Sequence, residues 1–351
     1  MSLPANIEFH NIPSAELSPN GVGWILPRYP RQVYETFPSP GFMTAQESTG
    51  VELRFVTAAP HLRVFLCPLE RATEVTVFRG DFLHFSQTLT PGVVQCVHLT
   101  PPDHFASIRP EALHLAFHPD VWRVLFCRGT MVFHGIDSFG YSIRPPFASE
   151  KPAVRWLAYG SSITHSSRQG YPQCAARLLG VDVQNKGMSG SCFIDDAAVD
   201  FIADGCEWDI ATLEIGINMR MQYPVDEFER RARNLVARCR SAKPGRPIVL
   251  ITMFRNAADH LIEPDERTSR QVAFDEILRV IARENRERNV HLIEGTAIVD
   301  DLSVLSSDFL HPTDNGHARM AENLAGYLKP LVESISNPTP KSQKIHVPVH
   351  S

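Results

Sequence analysis

The hydrophobic and polar positions follow two different patterns along the chain, and the change comes near residue 148. Before it, short apolar segments are separated by turn-forming residues such as Pro91-Gly92, and no long amphipathic helix interrupts them. Strands at this spacing are typical of a β-sandwich or jelly roll. The segments that we assign to strands are residues 51–56, 62–66, 75–78, 93–99, 121–126 and 131–136.

After Pro145-Pro146, short apolar runs alternate with helical patterns. The runs are residues 154–159, 181–184, 210–215, 248–252 and 290–293. Between the third and fourth runs, apolar residues recur on one face of a helix, and they are Phe228, Ala232, Leu235, Val236 and Cys239. A last helix, from about Asp314, has the same arrangement at Ala321, Leu324, Ala325 and Leu328. Alternating strands and helices predict a parallel sheet covered on both faces, with ligands bound at the carboxyl ends of its strands.

The length of 351 residues is about twice that of an ordinary domain, so two domains are expected. We place a β-sandwich at residues 1–148, an α/β domain at residues 149–337 and an extended tail at residues 338–351. Because the linker at residues 144–152 is short, we expect loops of the first domain to lean over the strand ends of the second.

Composition and charge narrow the classes of function. The net charge of -5 and the scattered lysines and arginines produce no broad positive field, so nucleic acid is not an expected partner. The start of the chain lacks a secretion signal, and no apolar run is long enough to span a bilayer, which predicts a cytoplasmic protein outside membranes. The seven cysteines are widely spaced and include no Cys-x-x-Cys pair. We therefore expect reduced, mostly buried thiols, no metal site and no cofactor.

Four segments of the second half have side chains suited to nucleophilic catalysis. A serine hydroxyl needs a base to take its proton and donors to stabilise the oxyanion that follows. Ser162 follows a glycine at the end of the first predicted strand, small residues at 185–190 follow the second, and Asn218 follows the third. An acid and an imidazole, Asp308 and His311, precede the last helix. Because the ends of parallel strands lie along one edge of a sheet, we expect these groups to meet there.

In order and spacing, these segments resemble the conserved blocks of the SGNH or GDSL hydrolase superfamily. The resemblance covers about residues 150–332 and implies a flavodoxin-like, three-layer α/β/α domain with a parallel sheet. It implies that Ser162 is the nucleophile and donates the first oxyanion N–H, while Gly190 donates a second N–H and Asn218 a side-chain amide. His311 is similar to the general base of the family, and Asp308 to the acid that orients it.

One position departs from the family pattern. The middle residue of the Gly-Asp-Ser block is Ser161 here, so a carboxylate next to the nucleophile is lost. Serine at this place is found in a branch with two-domain members that have an N-terminal jelly roll, and residues 50–57 also resemble that branch. Its members include carbohydrate esterases and an acyltransferase that acts on salicylate. The chain resembles this branch.

Two more residues near these segments are candidates for substrate binding. Arg220, just after Asn218, would hold a carboxylate or hydroxyl of the substrate, and its alternative role is a surface ion pair. His165, three residues after Ser162, would line the pocket, and its alternative is a histidine on a surface loop.

The resemblance implies a serine esterase that hydrolyses a small acyl ester, with acetyl on a carbohydrate as the favoured substrate. One alternative is an acyltransferase that moves the acyl group to a hydroxyl of a sugar or a polyketide. A second alternative is a carbohydrate-binding protein without catalysis. The motifs do not separate hydrolysis from transfer, because both use the same acyl-serine chemistry.

Overall fold

The structure is a computed structural model that describes residues 3–166 and 169–337. Short strands dominate its first half, with small helices between them. The strands are β1 (Glu8–His10), β2 (Glu16–Leu17), β3 (Trp24–Ile25), β4 (Glu52–Val56), β5 (Leu62–Pro68), β6 (Thr73–Arg79), β7 (Phe82–Leu89), β8 (Gln95–Leu99), β9 (Val121–Phe126) and β10 (Met131–Asp137). The helices are α1 (Arg31–Tyr34), α2 (Ser39–Gln46) and α3 (Pro110–Leu113).

These strands form two antiparallel sheets that share one core. One sheet has the order β1-β4-β9-β6-β7 and the other β2-β3-β10-β5-β8. Leu53 and Phe55 of the first sheet pack in the same buried cluster as Val64 and Leu66 of the second. The predicted all-β sandwich is therefore confirmed.

The prediction missed several strands of this half. β7 lies at the edge of its sheet, and most of its residues are partly exposed on both faces, so it lacks a clear apolar alternation. β1, β2 and β3 are only two or three residues long, and each depends on a neighbour: β1 pairs with β4, β3 with β10, and β2 with β3. The expected tail at residues 338–351 lies outside the described residues.

The second half contains one parallel sheet with helices on both faces. Its strands are β11 (Arg155–Tyr159), β12 (Asp182–Asn185), β13 (Ile210–Glu214), β14 (Ile248–Ile251) and β15 (Val290–Ile293). Its helices are α4 (Tyr171–Leu179), α5 (Asp196–Asp200), α6 (Val225–Ala242), α7 (Glu266–Glu284), α8 (Gly295–Ile298) and α9 (Asp314–Ser336). Each of the five runs predicted as strands is found as a strand within two residues of its expected bounds.

The order of this sheet, β12-β11-β13-β14-β15, explains the position of the site. Because β11 lies between β12 and β13, the loops that follow these three strands are neighbours. The apolar positions predicted on α6 and α9 are buried against the two opposite faces of the sheet, so the three-layer α/β/α architecture is confirmed.

Candidate active site

Ser162, His311 and Asp308 form a hydrogen-bonded chain at the carboxyl edge of the parallel sheet. The Oγ of Ser162 lies 2.8 Å from Nε2 of His311. On the other side of the ring, Nδ1 of His311 lies 2.7 Å from Oδ2 of Asp308. A carboxylate accepts the N–H at Nδ1, which leaves Nε2 as the atom that can take the serine proton. This is the arrangement of a nucleophile, a base and an orienting acid.

A tight turn holds Asp308 and His311 in this geometry. Oδ1 of Asp308 accepts the backbone N–H groups of Leu310 and His311, each at 2.9 Å, and the Ser306 hydroxyl at 2.7 Å. Phe309 has a left-handed φ of 51°, which reverses the chain between the acid and the imidazole. Desolvation raises the pKa of Asp308, but the hydrogen bonds from His311 and Ser306 outweigh it and hold this pKa well below its usual range. Asp308 is therefore a carboxylate at neutral pH.

The loops after β12 and β13 place Gly190 and Asn218 next to each other. Gly190 has a left-handed φ of 67°, and no other group lies within 4 Å of the position that a Cβ would take. Oδ1 of Asn218 accepts the backbone N–H of Cys192 at 3.1 Å. With its oxygen engaged, the amide of Asn218 presents its nitrogen as a donor. The same hydrogen bond ties the two loops that contain the candidate oxyanion donors.

Sequence reasoning missed Glu214, the last residue of β13. One of its oxygens, Oε2, accepts the Ser161 N–H at 2.7 Å, the Ser161 hydroxyl at 2.8 Å and the Thr164 hydroxyl at 3.0 Å. A carboxyl group therefore still lies next to Ser161, although it belongs to Glu214 and not to the residue before the nucleophile. A charged residue at the end of an otherwise apolar strand is the signal that identifies it in the sequence.

Burial controls the protonation of Glu214. Its side chain has almost no exposed surface, and desolvation raises its pKa to about 7, although hydrogen bonds from Ser161 and Thr164 lower it. Glu214 is therefore close to its titration point at neutral pH.

Arg220 lies behind Asn218 and is buried. Its Nη1 donates to Oδ1 of Asn256 at 3.1 Å and to Oε1 of Gln271 at 2.6 Å, while its Nε is buried without a partner in the described residues. Desolvation by burial lowers its pKa. The alternative of a surface ion pair is wrong, because these acceptors are neutral amides and the side chain is covered. The nearby Ala257 N–H donates to the Phe309 carbonyl, so this polar cluster adjoins the His311 turn.

His165 does not reach the surface. Its side chain has no exposed area, so it is neither a surface histidine nor a wall of an open pocket. Its Nε2 lies 2.8 Å from Nη2 of Arg28 and 3.0 Å from Oγ1 of Thr49, two residues of the β-rich half. Desolvation and the neighbouring Arg28 lower its pKa well below the usual value. His165 is therefore a neutral contact between the two halves.

Other features of the described residues bear on the predicted classes. No group of three histidine, cysteine or acidic side chains in these ranges is placed to hold a metal ion. None of the helices in the described ranges is both long and apolar enough to cross a bilayer. The seven cysteines form no disulfide in this structure, and Cys67, Cys127, Cys192, Cys206 and Cys239 are buried.

Comparison with known proteins assigns the family. Residues 151–329 match the GDSL-like lipase/acylhydrolase family. No curated protein sequence matches the chain.

Several solved structures have a similar fold over nearly the whole chain. A salicylyl-acyltransferase, SsfX3, from a tetracycline biosynthetic pathway is 18% identical, with a TM-score of 0.76 over 92% of this chain and 94% of its own. A putative GDSL-like lipase from Bacteroides ovatus is 18% identical, with a TM-score of 0.63 over 93% of this chain and 98% of its own. A family two carbohydrate esterase from Cellvibrio japonicus is 13% identical, with a TM-score of 0.60 over 94% of this chain and 96% of its own.

These likenesses extend through both the β-sandwich and the α/β part, as the resemblance to the two-domain branch implies. The family match covers about half of the chain and includes all four segments that converge on the site. The chain therefore belongs to the GDSL-like lipase/acylhydrolase family, and it is an enzyme of the serine hydrolase or O-acyltransferase kind.

Proposed function

We propose that the protein is a serine esterase that removes a small acyl group, with acetyl on a carbohydrate as the favoured substrate, through an acyl-serine intermediate. The observation on which this rests is the contact of 2.8 Å between Ser162 Oγ and His311 Nε2, with Asp308 on the opposite ring nitrogen. Similarity to a carbohydrate esterase over both halves supports a carbohydrate ester as substrate.

In the first half-reaction, His311 accepts the Ser162 proton while Oγ attacks the ester carbonyl carbon. The carbonyl oxygen becomes an oxyanion, and the tetrahedral intermediate collapses when the C–O bond to the alcohol breaks. The imidazolium of His311 returns its proton to the departing alkoxide, so a neutral alcohol leaves and the acyl group stays on Ser162. Asp308 stabilises the imidazolium and holds the ring in the required tautomer.

In the second half-reaction, water attacks the acyl-serine. His311 takes a proton from this water, and the resulting tetrahedral intermediate expels Ser162 Oγ, which recovers the proton from His311. A free carboxylic acid is the product. Charge balances in each step, since the proton moves between His311 and one oxygen at a time.

We assign three donors to the oxyanion of both steps. They are the N–H of Ser162, the N–H of Gly190 and the side-chain amide of Asn218. Removing one such donor costs about 100- to 1,000-fold in kcat in other acyl-transfer enzymes. The hydrogen bond from Cys192 N–H to Asn218 Oδ1 supports the role of Asn218 as a donor, because it orients the side-chain amide before substrate binds.

Acyl transfer to another alcohol is the second candidate, and the similarity to a salicylyl-acyltransferase favours it. Only the acceptor differs, because an alcohol held beside the acyl-serine replaces water in the second half-reaction. The share of product that forms as a new ester, measured with sugar and aryl alcohols as added acceptors, separates the two. A dominant new ester would identify a transferase.

The test of the acyl-serine is covalent labelling with a fluorophosphonate, followed by peptide mass analysis. We expect one adduct on Ser162 and none after Ser162→Ala, which should also lose turnover of aryl acetates and acetylated oligosaccharides. Asn218→Ala should still be labelled, with kcat lower by about 100- to 1,000-fold and little change in KM. A Ser162→Ala variant that keeps most of its turnover would contradict the proposal.

A further inference from the structure

Residues of the β-rich half bind the 185–190 loop, the segment that ends at Gly190. Most of its backbone carbonyls accept hydrogen bonds from side chains that are about 140 or more residues earlier in the chain. These bonds join Asn11 Nδ2 to Asn185 O at 3.1 Å, Arg28 Nη1 to Asn185 O at 3.3 Å and Gly187 O at 2.7 Å, Tyr29 Oη to Lys186 O at 2.7 Å, and Thr44 Oγ1 to Ser189 O at 3.4 Å. In return, Lys186 Nζ donates to the carbonyls of Asn11 at 3.1 Å and Arg28 at 2.7 Å.

Arg28 is the centre of these contacts, and its side chain has no exposed surface. Besides the 185–190 loop, its guanidinium donates to the carbonyls of Glu47 at 2.9 Å and Thr44 at 2.8 Å. Its remaining contact, at 2.8 Å, is with Nε2 of His165. A guanidinium is a rigid planar donor, so this one group sets the distances between α2, the 185–190 loop and His165.

His165 connects the same group to the nucleophile. It follows Ser162 by three residues, and its backbone N–H donates to the Ser161 carbonyl at 2.9 Å. A Cβ at Gly187 would collide with the backbone of His165, so the turn after β11 and the 185–190 loop are in direct contact. The Ser189 backbone nitrogen lies 3.4 Å from Nδ1 of His165. Arg28 therefore contacts both the 185–190 loop and, through His165, the turn that contains Ser162. The relative position of these two segments sets the distance between the nucleophile and the Gly190 N–H.

The hydrogen bonds of Arg28 hold backbone groups rather than a carboxylate. In the described residues, every acceptor of its hydrogen bonds is a backbone carbonyl or an imidazole nitrogen, and none is a carboxylate. Desolvation by burial lowers the pKa of Arg28 to about 10 and outweighs the charge of the Glu47 carboxylate, which raises this pKa. Apolar side chains would fill the same space at less cost but would not orient carbonyl groups.

We propose that Arg28 is a positioning residue that holds the Gly190 N–H in register with Ser162 during acyl transfer. The inference rests on the proposed function, because it assumes that Gly190 is an oxyanion donor. Arg28 does not touch substrate in this scheme, and it acts through the 185–190 loop and His165.

The test compares Arg28→Lys with Arg79→Lys. Lysine keeps the charge but is a point donor that cannot reach all of these acceptors at once. We expect Arg28→Lys to lower kcat by about 100-fold, the effect of misplacing catalytic groups by about 1 Å, with KM nearly unchanged. Arg79 is also a buried arginine of the β-rich half, but it bonds to Asp120 and lies over Trp122. Arg79→Lys should therefore keep the wild-type kcat.

Two further measurements separate positioning from general stability. In Arg28→Ala, added guanidinium ion should restore part of the lost kcat, whereas it should do nothing for Arg79→Ala. Tyr29→Phe removes a single hydrogen bond to Lys186 O and should lower kcat by about 3- to 10-fold, as expected for one net hydrogen bond. If Arg28→Lys does not fold, Tyr29→Phe and the rescue of Arg28→Ala decide.

An unchanged kcat in folded Arg28→Lys, or an equal fall in Arg79→Lys, would overturn the positioning role. Labelling of Ser162 and the kcat of Asn218→Ala are measured in the same series. If both behave as expected while Arg28→Lys keeps its kcat, only the role of Arg28 fails. If Ser162 is not labelled, the proposed function itself fails.

Discussion

At the scale of single residues, Glu214 is a buried acidic group in direct contact with the turn that contains Ser162. Its Oε2 receives three donors, two from Ser161 and one from Thr164, and it lies at the end of a strand without access to water. The Thr164 hydroxyl also contacts the Tyr171 hydroxyl at 2.7 Å. A proton gained or lost at Glu214 therefore changes the electrostatic potential at Ser162.

The substitution Glu214→Gln tests the charge state of Glu214 through the pH dependence of the free energy of unfolding. The pKa is about 7 in the folded protein, against 4.5 as its ordinary value, so folding favours the protonated form. Its contribution to stability is therefore complete below about pH 4.5 and is lost as the pH rises through about 7. Glutamine is always neutral, so its stability does not depend on pH at this position. The free energy of unfolding of Glu214→Gln relative to wild type should therefore rise between pH 5 and pH 8, by up to about 3 kcal/mol.

Urea unfolding at several pH values measures this difference. Glu229→Gln, on the partly exposed side of α6, is the control and should follow the wild-type profile. Parallel profiles for Glu214→Gln and wild type would mean that Glu214 is already ionised in the folded protein near pH 5.

At the scale of elements, the end of β11 determines where Ser162 stands. Gly160 follows the strand directly, and a Cβ there would overlap Oγ1 of Thr164 and lie 2.5 Å from Oε2 of Glu214. The strand, the turn and the end of β13 are therefore packed without room for a methyl group. The glycine is required by this close approach.

Gly160→Ala should lower both activity and stability. Overpacking of this kind costs about 1 to 3 kcal/mol, and the displaced turn would carry Ser162 away from His311. We expect at least about a 100-fold lower kcat, measured on an aryl acetate at a temperature at which the variant is folded.

Gly326→Ala is the matched control for this change. No other group lies within 4 Å of a Cβ at Gly326, which is exposed on α9, so alanine there should be neutral or stabilise by up to about 1 kcal/mol. Similar effects of the two substitutions would contradict the packing argument.

At the scale of the whole molecule, buried charges join the two halves. Arg54 of β4 is almost fully buried and forms a two-bond contact with Asp182 of β12, at 2.7 and 2.8 Å. Arg54 also bonds Glu52 at 2.7 Å, and Glu52 in turn accepts from Arg123. Because these charges are covered only while the halves are in contact, we expect both halves to unfold in one transition.

Arg54→Ala should destabilise the protein by about 3 to 5 kcal/mol, since it leaves Asp182 and Glu52 buried with fewer partners. Calorimetry measures the change and shows whether unfolding stays a single transition. Arg31→Ala removes an exposed pair with Glu35, which solvent screens, and should leave the free energy of unfolding nearly unchanged. Two separate transitions in wild type would show that the halves fold independently.

Much of the fold was predictable because its signals are local. Apolar runs such as residues 248–252 and the stripe from Phe228 to Cys239 on α6 depend only on neighbours along the chain. The meeting of Ser162, Asn218 and His311 was also expected, since parallel topology brings the ends of successive strands to one edge. These inferences needed periodicity, turn chemistry and the order of the segments.

The contacts of His165, Arg220, Glu214 and Arg54 were not predictable in the same way. Their partners lie far away in sequence, as in the separation of 137 residues between Arg28 and His165 or 128 between Arg54 and Asp182. Periodicity says which face of an element is apolar but not which polar group lies across from it.

The two kinds of architecture and the positions of the strands in the parallel sheet followed from the amino-acid sequence alone, as did the expectation that Ser162 and His311 meet at the edge of that sheet. Three contacts came to light only in the folded chain: Glu214 accepts hydrogen bonds from Ser161, His165 is buried between the halves, and Arg28 binds the 185–190 loop. Local patterns follow from a few neighbouring residues, whereas the pairing of buried polar groups depends on how whole elements pack.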